Sequence, residues 1–264
     1  MIEEIASNPV KKLLRDGKPV FGTWATLVSN PKMMRLLAAT GLDFVLLEME
    51  HSDFSISDVS AMALVARASG IVPIARPDGH KPHDMTRLLD AGAQGLLLPC
   101  IDSPEQLEAI MKVTKYYPRG ERILNLRGSH TDYLRYEDID KQIAHINAET
   151  LMVAMVETRD SLDALPEICD VDGLDAIMIG PDDLSQNLGV PGQVSHPLMT
   201  EATERVIEVC TQKNIPWGFS CQSIEAGKKW IDRGIQWVPL SNDANAIFNT
   251  FSPLAAGLKA AASR

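Results

Sequence analysis

Two rhythms of apolar and polar residues alternate along this chain. Short unbroken apolar runs are separated by stretches whose apolar residues recur three and four apart, the spacing of one helix face. The clearest run is Phe44 to His51, Phe-Val-Leu-Leu-Glu-Met-Glu-His. Its apolar part reads as a strand covered on both faces, as in a parallel sheet. Its end carries Glu48, Glu50 and His51. Removing such groups from water is costly unless they are paired or bind something, so the run reads as a strand that ends in a site.

The same alternation extends from end to end. Strands are predicted at Val20–Thr26, 44–50, Ile71–Arg76, Gly95–Cys100, Leu151–Glu157, Ala176–Gly180, Pro216–Ser220 and Gln236–Leu240. Before the first, Ile5, Val10, Leu13 and Leu14 share a face of a helix over 4–15, stopped by Gly17. Asn30 caps a helix to Ala39 with Pro31 in its first turn, and Ser57 caps one to Ser69. Further helices are predicted at 82–91, from Ser103-Pro104 onward, and at 137–147, 159–169, 198–213, 223–233 and 244–262. Between Tyr117 and Tyr136 the pattern fades into a long polar loop, a feature that is usually functional or mobile. Eight strand–helix alternations are the count of a (β/α)8 TIM barrel. A doubly wound open sheet is the alternative, and no Gly-x-Gly-x-x-Gly follows the first strand to favour it.

Composition narrows the picture. At 264 residues and 45% hydrophobic residues, one barrel domain spanning 1–264 is expected. A balance of 25 basic against 35 acidic residues argues against nucleic acid, which needs a basic surface. A small anionic substrate needs only one or two placed cations. The four cysteines show no C-x-x-C pairing, and the chain is large enough to need no disulfides, so a reduced, cytoplasmic setting is expected. The stretch Met1-Ile-Glu-Glu-Ile lacks the apolar segment of a signal peptide, and no run approaches a membrane span.

Barrel chemistry sits at the C-terminal ends of the strands, and there the ionisable residues collect. Glu48, Glu50 and His51 end the second strand, Arg76 the third and Glu157 the fifth, while Asp182 and Asp183 follow the sixth. Glu157 and Asp183 come from adjacent strands. Converging carboxylates repel unless one is protonated or a cation lies between them, and oxygen ligands suit Mg2+ or Mn2+. Each also precedes a helix and could instead be its N-cap. His51 could be a satisfied core histidine or a ligand, but a base is the preferred reading. Arg76 could pair structurally with Glu48, but holding a substrate carboxylate in its planar fork is the preferred reading. Asp90 lies in the last turn of a helix, at the negative end of its dipole, where a partner would compensate it; from the residues alone a solvated end with a small penalty is the accepted reading. No lysine lies at a strand end, which disfavours imine chemistry.

Five segments carry a resemblance to the HpcH/HpaI family of class II pyruvate aldolases: Glu48-Met-Glu-His51, Ile74-Ala-Arg-Pro77, Leu88-Leu-Asp-Ala-Gly-Ala-Gln94, Val156-Glu-Thr158 and Ile179-Gly-Pro-Asp-Asp-Leu-Ser185. The resemblance spans residues 18 to 245. It implies that Glu157 and Asp183 hold a divalent metal (Mg2+, Mn2+ or Co2+), with Glu48 and Glu50 around them. It implies that Arg76 stabilises an enolate and that backbone amides around Gly180, Asp182 and Asp183 take a carboxylate. His51 is implied as the base and Asp90 as its partner. The implied reaction is reversible cleavage of a 4-hydroxy-2-oxo acid, of sugar-acid or dicarboxylate type, to pyruvate and an aldehyde. Family members are often hexamers or trimers with the last helix exchanged between subunits, so a homo-oligomer is implied. The chain departs from the family pattern at Glu48, where Asp is usual, at Met155, where Gln is frequent, at Gly120-Glu-Arg-Ile123 and at Ser241-Asn-Asp243. A lyase of acyl-CoA thioesters would want a basic groove, of which the charge gives no hint. A non-catalytic keto-acid-binding barrel is the third reading.

Overall fold

The computed structural model describes residues 4–263. Eight strands, β1 (Val20–Ala25), β2 (Phe44–Glu48), β3 (Val72–Arg76), β4 (Gly95–Leu98), β5 (Leu151–Val156), β6 (Ala176–Ile179), β7 (Trp217–Gly218) and β8 (Trp237–Asn242), pair in sequence order and close into a barrel. Every pairing is parallel, including the closing one between β1 and β8. The (β/α)8 expectation is met.

The helices are α1 (Pro9–Arg15), α2 (Lys32–Ala39), α3 (Ile56–Ala68), α4 (Pro82–Asp90), α5 (Pro104–Thr114), α6 (Ile139–Glu149), α7 (Arg159–Asp163), α8 (Leu165–Ile168), α9 (Pro181–Asn187), α10 (Pro197–Lys213), α11 (Ile224–Ile231) and α12 (Asp243–Ala262). Some bounds differ from those expected, for local reasons. Helix α1 starts at Pro9, not residue 4, because Asn8 caps it by accepting from the Lys11 amide. The cap of α3 is Ser55, not Ser57, and it exchanges hydrogen bonds with Asp58 in a capping box. Pro31 rather than Asn30 takes the cap position of α2, although the Asn30 side chain accepts from the Lys32 amide. The helix expected over 159–169 breaks into α7 and α8. Pro166 has no N–H to donate and its ring would meet the preceding turn.

Side chains alternate in and out along each strand. Phe44, Leu46, Val72, Ile74, Leu151, Val153, Met155, Ala176 and Met178 fill the barrel interior, with Val10 and Leu14 of α1 closing its N-terminal end. Val45, Leu47, Ala75, Met152 and Ala154 face outward into the helix layer. Phe44 stacks on Trp237, ring centroids 4.1 Å apart. Gly22 permits this, since a Cβ there would fall 2.3 Å from the Phe44 ring. Each large side chain fully buried this way contributes roughly 1.5–3 kcal/mol.

The inward alternation does not stop where the apolar core stops. One step beyond Leu46 is Glu48, beyond Ile74 is Arg76, beyond Met155 is Glu157 and beyond Met178 is Gly180. The site is the next inward-facing layer of the barrel, made of polar residues because it meets the open end.

Candidate active site

Glu48 and Arg76 are register partners on β2 and β3. Arg76 Nε donates to Glu48 Oε2 at 2.6 Å, and Nη2 lies 2.5 Å from the same oxygen. Glu48 Oε1 accepts the amides of Glu50 and His51 at 2.6 and 3.0 Å. Both side chains are buried, so each charge depends on the other for its stabilisation. The guanidinium lies over the Trp24 ring, 4.7 Å from its centroid. Its Nη1 reaches Glu50 Oε2 at 3.2 Å and Met155 Sδ at 3.9 Å. Arg76 is therefore paired with Glu48, the structural alternative to the preferred reading, and its Nη1 is turned to Glu50. The one-methylene-longer Glu48 reaches both Arg76 and the turn that begins the β2 loop. His51 follows on that turn, its side chain 65% exposed, with Nε2 3.8 Å from Glu50 Oε2. It is not a core histidine.

Glu157 is buried at the end of β5. Its Oε1 accepts the Cys100 amide at 2.6 Å, and its Oε2 is buried with no hydrogen-bond partner. Gly180, just past the end of β6, leaves the space that Oε2 occupies: a Cβ there would sit 2.4 Å from it. Burial raises the Glu157 carboxyl above the usual carboxylate range, the Cys100 hydrogen bonds oppose this, and the charges of Asp183 and Glu50 push it further up. Asp183 and Glu50 thus lie near enough for their charges to act on Glu157. Neither Glu157 nor Asp183 is an N-cap. Thr158 caps α7, and Gly180 stands at the cap of α9 with Asp182 and Asp183 in its first turn. The amides of Asp182 and Asp183 precede the first intrahelical bond, from the Leu184 amide to the Gly180 carbonyl.

These residues fit a divalent ion. A buried carboxylate oxygen with no protein partner, an adjacent exposed carboxylate and all-oxygen donors match what Mg2+ or Mn2+ takes. No group of three or more His, Cys, Asp or Glu that could hold an ion occurs among the described residues. A site of two protein carboxylates would leave the other positions to water and ligand oxygens.

Asp90 does not join this group. It ends α4 and leads into the N-terminal end of β4, across the barrel from the mouth. Within the chain its partner is Arg122, with Nη2 2.5 Å from Oδ1, and not His51. Arg122 in turn stacks over Tyr116 at 4.6 Å. The acid at the helix end is therefore not simply solvated, as the residues alone suggest: a compensating cation comes from the long loop after α5. That loop folds against the closed end instead of the mouth. Lys115 is also there, donating to the Asn147 and Thr150 carbonyls. Burial lowers it to about 7, but its position keeps it from imine chemistry at the mouth.

Trp24 and Cys100 are participants not singled out from the sequence, and Ser220 is visible there only as the end of the seventh predicted strand. Trp24 could have been found by following Val20 and Gly22 inward to the end of the first strand. Cys100 acts through its backbone N–H and adopts φ +47, for which its residue type gives no signal. The Ser220 hydroxyl accepts from Trp24 Nε1 at 3.3 Å, completing the support beneath Arg76.

Known proteins share this chain's length and architecture. The 2-keto-3-deoxy-L-rhamnonate aldolase of Escherichia coli O9:H4 (strain HS) is 36% identical over 241 residues, 90% of this chain and 88% of that protein. The 4-hydroxy-2-oxo-heptane-1,7-dioate aldolase of Klebsiella pneumoniae subsp. pneumoniae is 30% identical over 250 residues, 95% of this chain and 93% of that protein. The crystal structure of an HpcH/HpaI aldolase from Desulfitobacterium hafniense DCB-2 superposes with a TM-score of 0.90 at 30% identity, covering 96% of this chain and 97% of that one. Residues 21–248, the whole barrel, match the family described as HpcH/HpaI aldolase/citrate lyase, and the chain belongs to that family.

Proposed function

We propose that the protein is a class II pyruvate aldolase, an aldehyde-lyase that reversibly cleaves a 4-hydroxy-2-oxo acid to pyruvate and an aldehyde. The observation that carries the reading is Glu157 Oε2, buried and unpartnered in the space that Gly180 leaves, beside Asp183 and the Glu48–Arg76–Glu50 group. Glu157 and Asp183 would hold Mg2+, Mn2+ or Co2+, which supplies Lewis-acid polarisation of the 2-oxo acid. Arg76, fixed by Glu48 and Trp24, presents Nη1 to negative charge developing on the 2-oxo oxygen. The free amides at Asp182 and Asp183, beside Gly180, take the carboxylate. His51 removes the proton from the 4-hydroxyl as the C3–C4 bond breaks. C4 leaves as the aldehyde, the bond's electron pair passes into the C3–C2–O system, and C3 is then protonated to give pyruvate. Glu50, between His51 and Arg76, holds both in place.

The substrates named for the two aldolase relatives are a sugar acid and a dicarboxylate, and both types belong in the assay. Protein stripped with a chelator should stop releasing pyruvate from such acids, and added Mg2+, Mn2+ or Co2+ should restore release. Release that continues unchanged after complete metal removal would reject the mechanism.

Self-association belongs to the same proposal. Helix α12 exposes Phe248, Phe251 and Leu258 at 66%, 64% and 72%, an apolar face with no cover in one chain. Exchange of this helix within a trimer or hexamer would bury it. No described helix is long and apolar enough to cross a membrane. Four free thiols accord with a reduced cytoplasmic setting.

A further inference from the structure

Cys100 donates to the Glu157 carboxylate, its amide 2.6 Å from Oε1, so whatever fixes Cys100 also fixes the direction of Oε2. Cys100 stands at φ +47, a conformation that side chains other than glycine seldom adopt unless surrounding contacts hold them there. The holding contacts come from Gln106 in the first turn of α5. Its Nε2 donates to the Cys100 carbonyl at 3.1 Å and its Oε1 accepts the Asp102 amide at 2.8 Å. The residues between them are bridged again where Asp102 accepts the Thr158 hydroxyl, 2.5 Å away, tying this loop to the one that carries Glu157.

Gln106 is itself locked. His80 Nε2 faces the Pro99 carbonyl at 2.6 Å. A carbonyl only accepts, so Nε2 carries the ring proton, and Nδ1 accepts from Gln106 Nε2 at 2.8 Å. The amide cannot turn over. A reversed Gln106 would set its oxygen against two acceptors, Cys100 O and His80 Nδ1, and its NH2 against the Asp102 amide.

We propose that Gln106, locked by His80, is a positioning residue that acts through the left-handed turn at Cys100 to aim Glu157 Oε2 at the ion. The proposal rests on the reading of Glu157 as a metal-holding residue. Neither Gln106 nor His80 touches the reacting atoms. Their effect is on affinity for the ion, and losing support of this kind typically weakens metal binding about 10- to 100-fold.

The test is Mn2+ affinity, by calorimetry and by the spectrum of free Mn2+, on the full-length protein and on Gln106→Leu, Cys100→Val, Cys100→Gly and Glu157→Gln. Thermal midpoints are recorded alongside. Gln106→Leu should weaken Mn2+ about 10- to 100-fold with a midpoint close to wild type. Both Cys100 variants keep the N–H, but only glycine adopts a positive φ freely. Cys100→Val should therefore bind Mn2+ at least about tenfold more weakly than Cys100→Gly. Equal affinity of wild type and Gln106→Leu, with binding lost in Glu157→Gln, overturns the inference and leaves the Glu157 assignment standing. Undiminished binding in Glu157→Gln overturns both. If Gln106→Leu fails to fold, the Cys100 pair decides: equal affinities reject the turn as the device.

Discussion

Gly180→Ala isolates the space on which the metal assignment depends. The Gly180 backbone, φ −91 and ψ 91, is open to any residue, so alanine adds no conformational strain. What it adds is a methyl group 2.4 Å from Glu157 Oε2, 3.0 Å from Glu157 Cβ and 3.1 Å from Met155 Cε. Ordinary contact begins near 3.4 Å, so Oε2 must retreat by about 1 Å. Misplacement of that size costs on the order of 100-fold in a pre-organised site, about 2.7 kcal/mol. Overpacking lowers global stability by roughly 1–3 kcal/mol, which a folded barrel can tolerate. The assay is pyruvate release coupled to NADH oxidation by lactate dehydrogenase, at saturating Mn2+ and again in a Mn2+ titration. Gly227→Ala is the control. That glycine lies in α11 with nothing near its missing Cβ, and the change should leave kcat/KM untouched. A folded Gly180→Ala protein within threefold of wild type in both kcat/KM and Mn2+ affinity would show that the space beside Gly180 does not place Oε2.

His51→Ala should lower kcat by roughly 100- to 10,000-fold, the usual range for a lost acid–base group, and leave Mn2+ affinity within a few-fold; collapse of metal binding would make His51 a ligand instead. Lys115 should give stability a pH dependence at the closed end of the barrel. Folding lowers its pKa to about 7 from an ordinary 10.5, so between those values the unfolded chain binds the extra proton and stability rises with pH. Urea unfolding of wild type and Lys115→Met at pH 7 and pH 9.5 should show wild type gaining on the variant at the higher pH; a constant difference would contradict this. Replacing Phe248 and Phe251 of α12 by Glu should leave a smaller species in sedimentation velocity than wild type, and an unchanged distribution would remove α12 from the interface.

Much of the barrel was legible because burial on both faces leaves a strong trace. Phe44 to Leu47, Leu151 to Val156 and Ala176 to Ile179 are apolar runs bounded by turns and polar residues, and each is a strand within a residue or two of its expected bounds. The site was partly legible for a related reason. A strand that carries an inward-facing apolar series and then an inward-facing Glu48 or Glu157 signals that its end meets something polar. Register made Arg76 the partner of Glu48, as the sequence allowed. Asp90 shows the limit. Its position at a helix end would gain from a cation, but the one that pairs with it, Arg122, comes from a loop with no periodicity and lies 32 positions away. Cys100 shows another limit. Its contribution is a backbone N–H in a left-handed turn, and nothing in a cysteine advertises that geometry. The missing Cβ of Gly180 belongs to the same class, since its value appears only when Glu157 is placed beside it.

In the proposed mechanism Glu157 and Asp183 share an ion that makes pyruvate easy to enolise. The direct measurement is exchange of the pyruvate methyl protons in D2O, followed by NMR with no aldehyde present. Metal-restored wild type should exchange them. Chelator-stripped wild type, Glu157→Gln and Asp183→Asn should exchange at least about 100-fold more slowly. Undiminished exchange in stripped protein, or in either carboxylate variant, would contradict the claim.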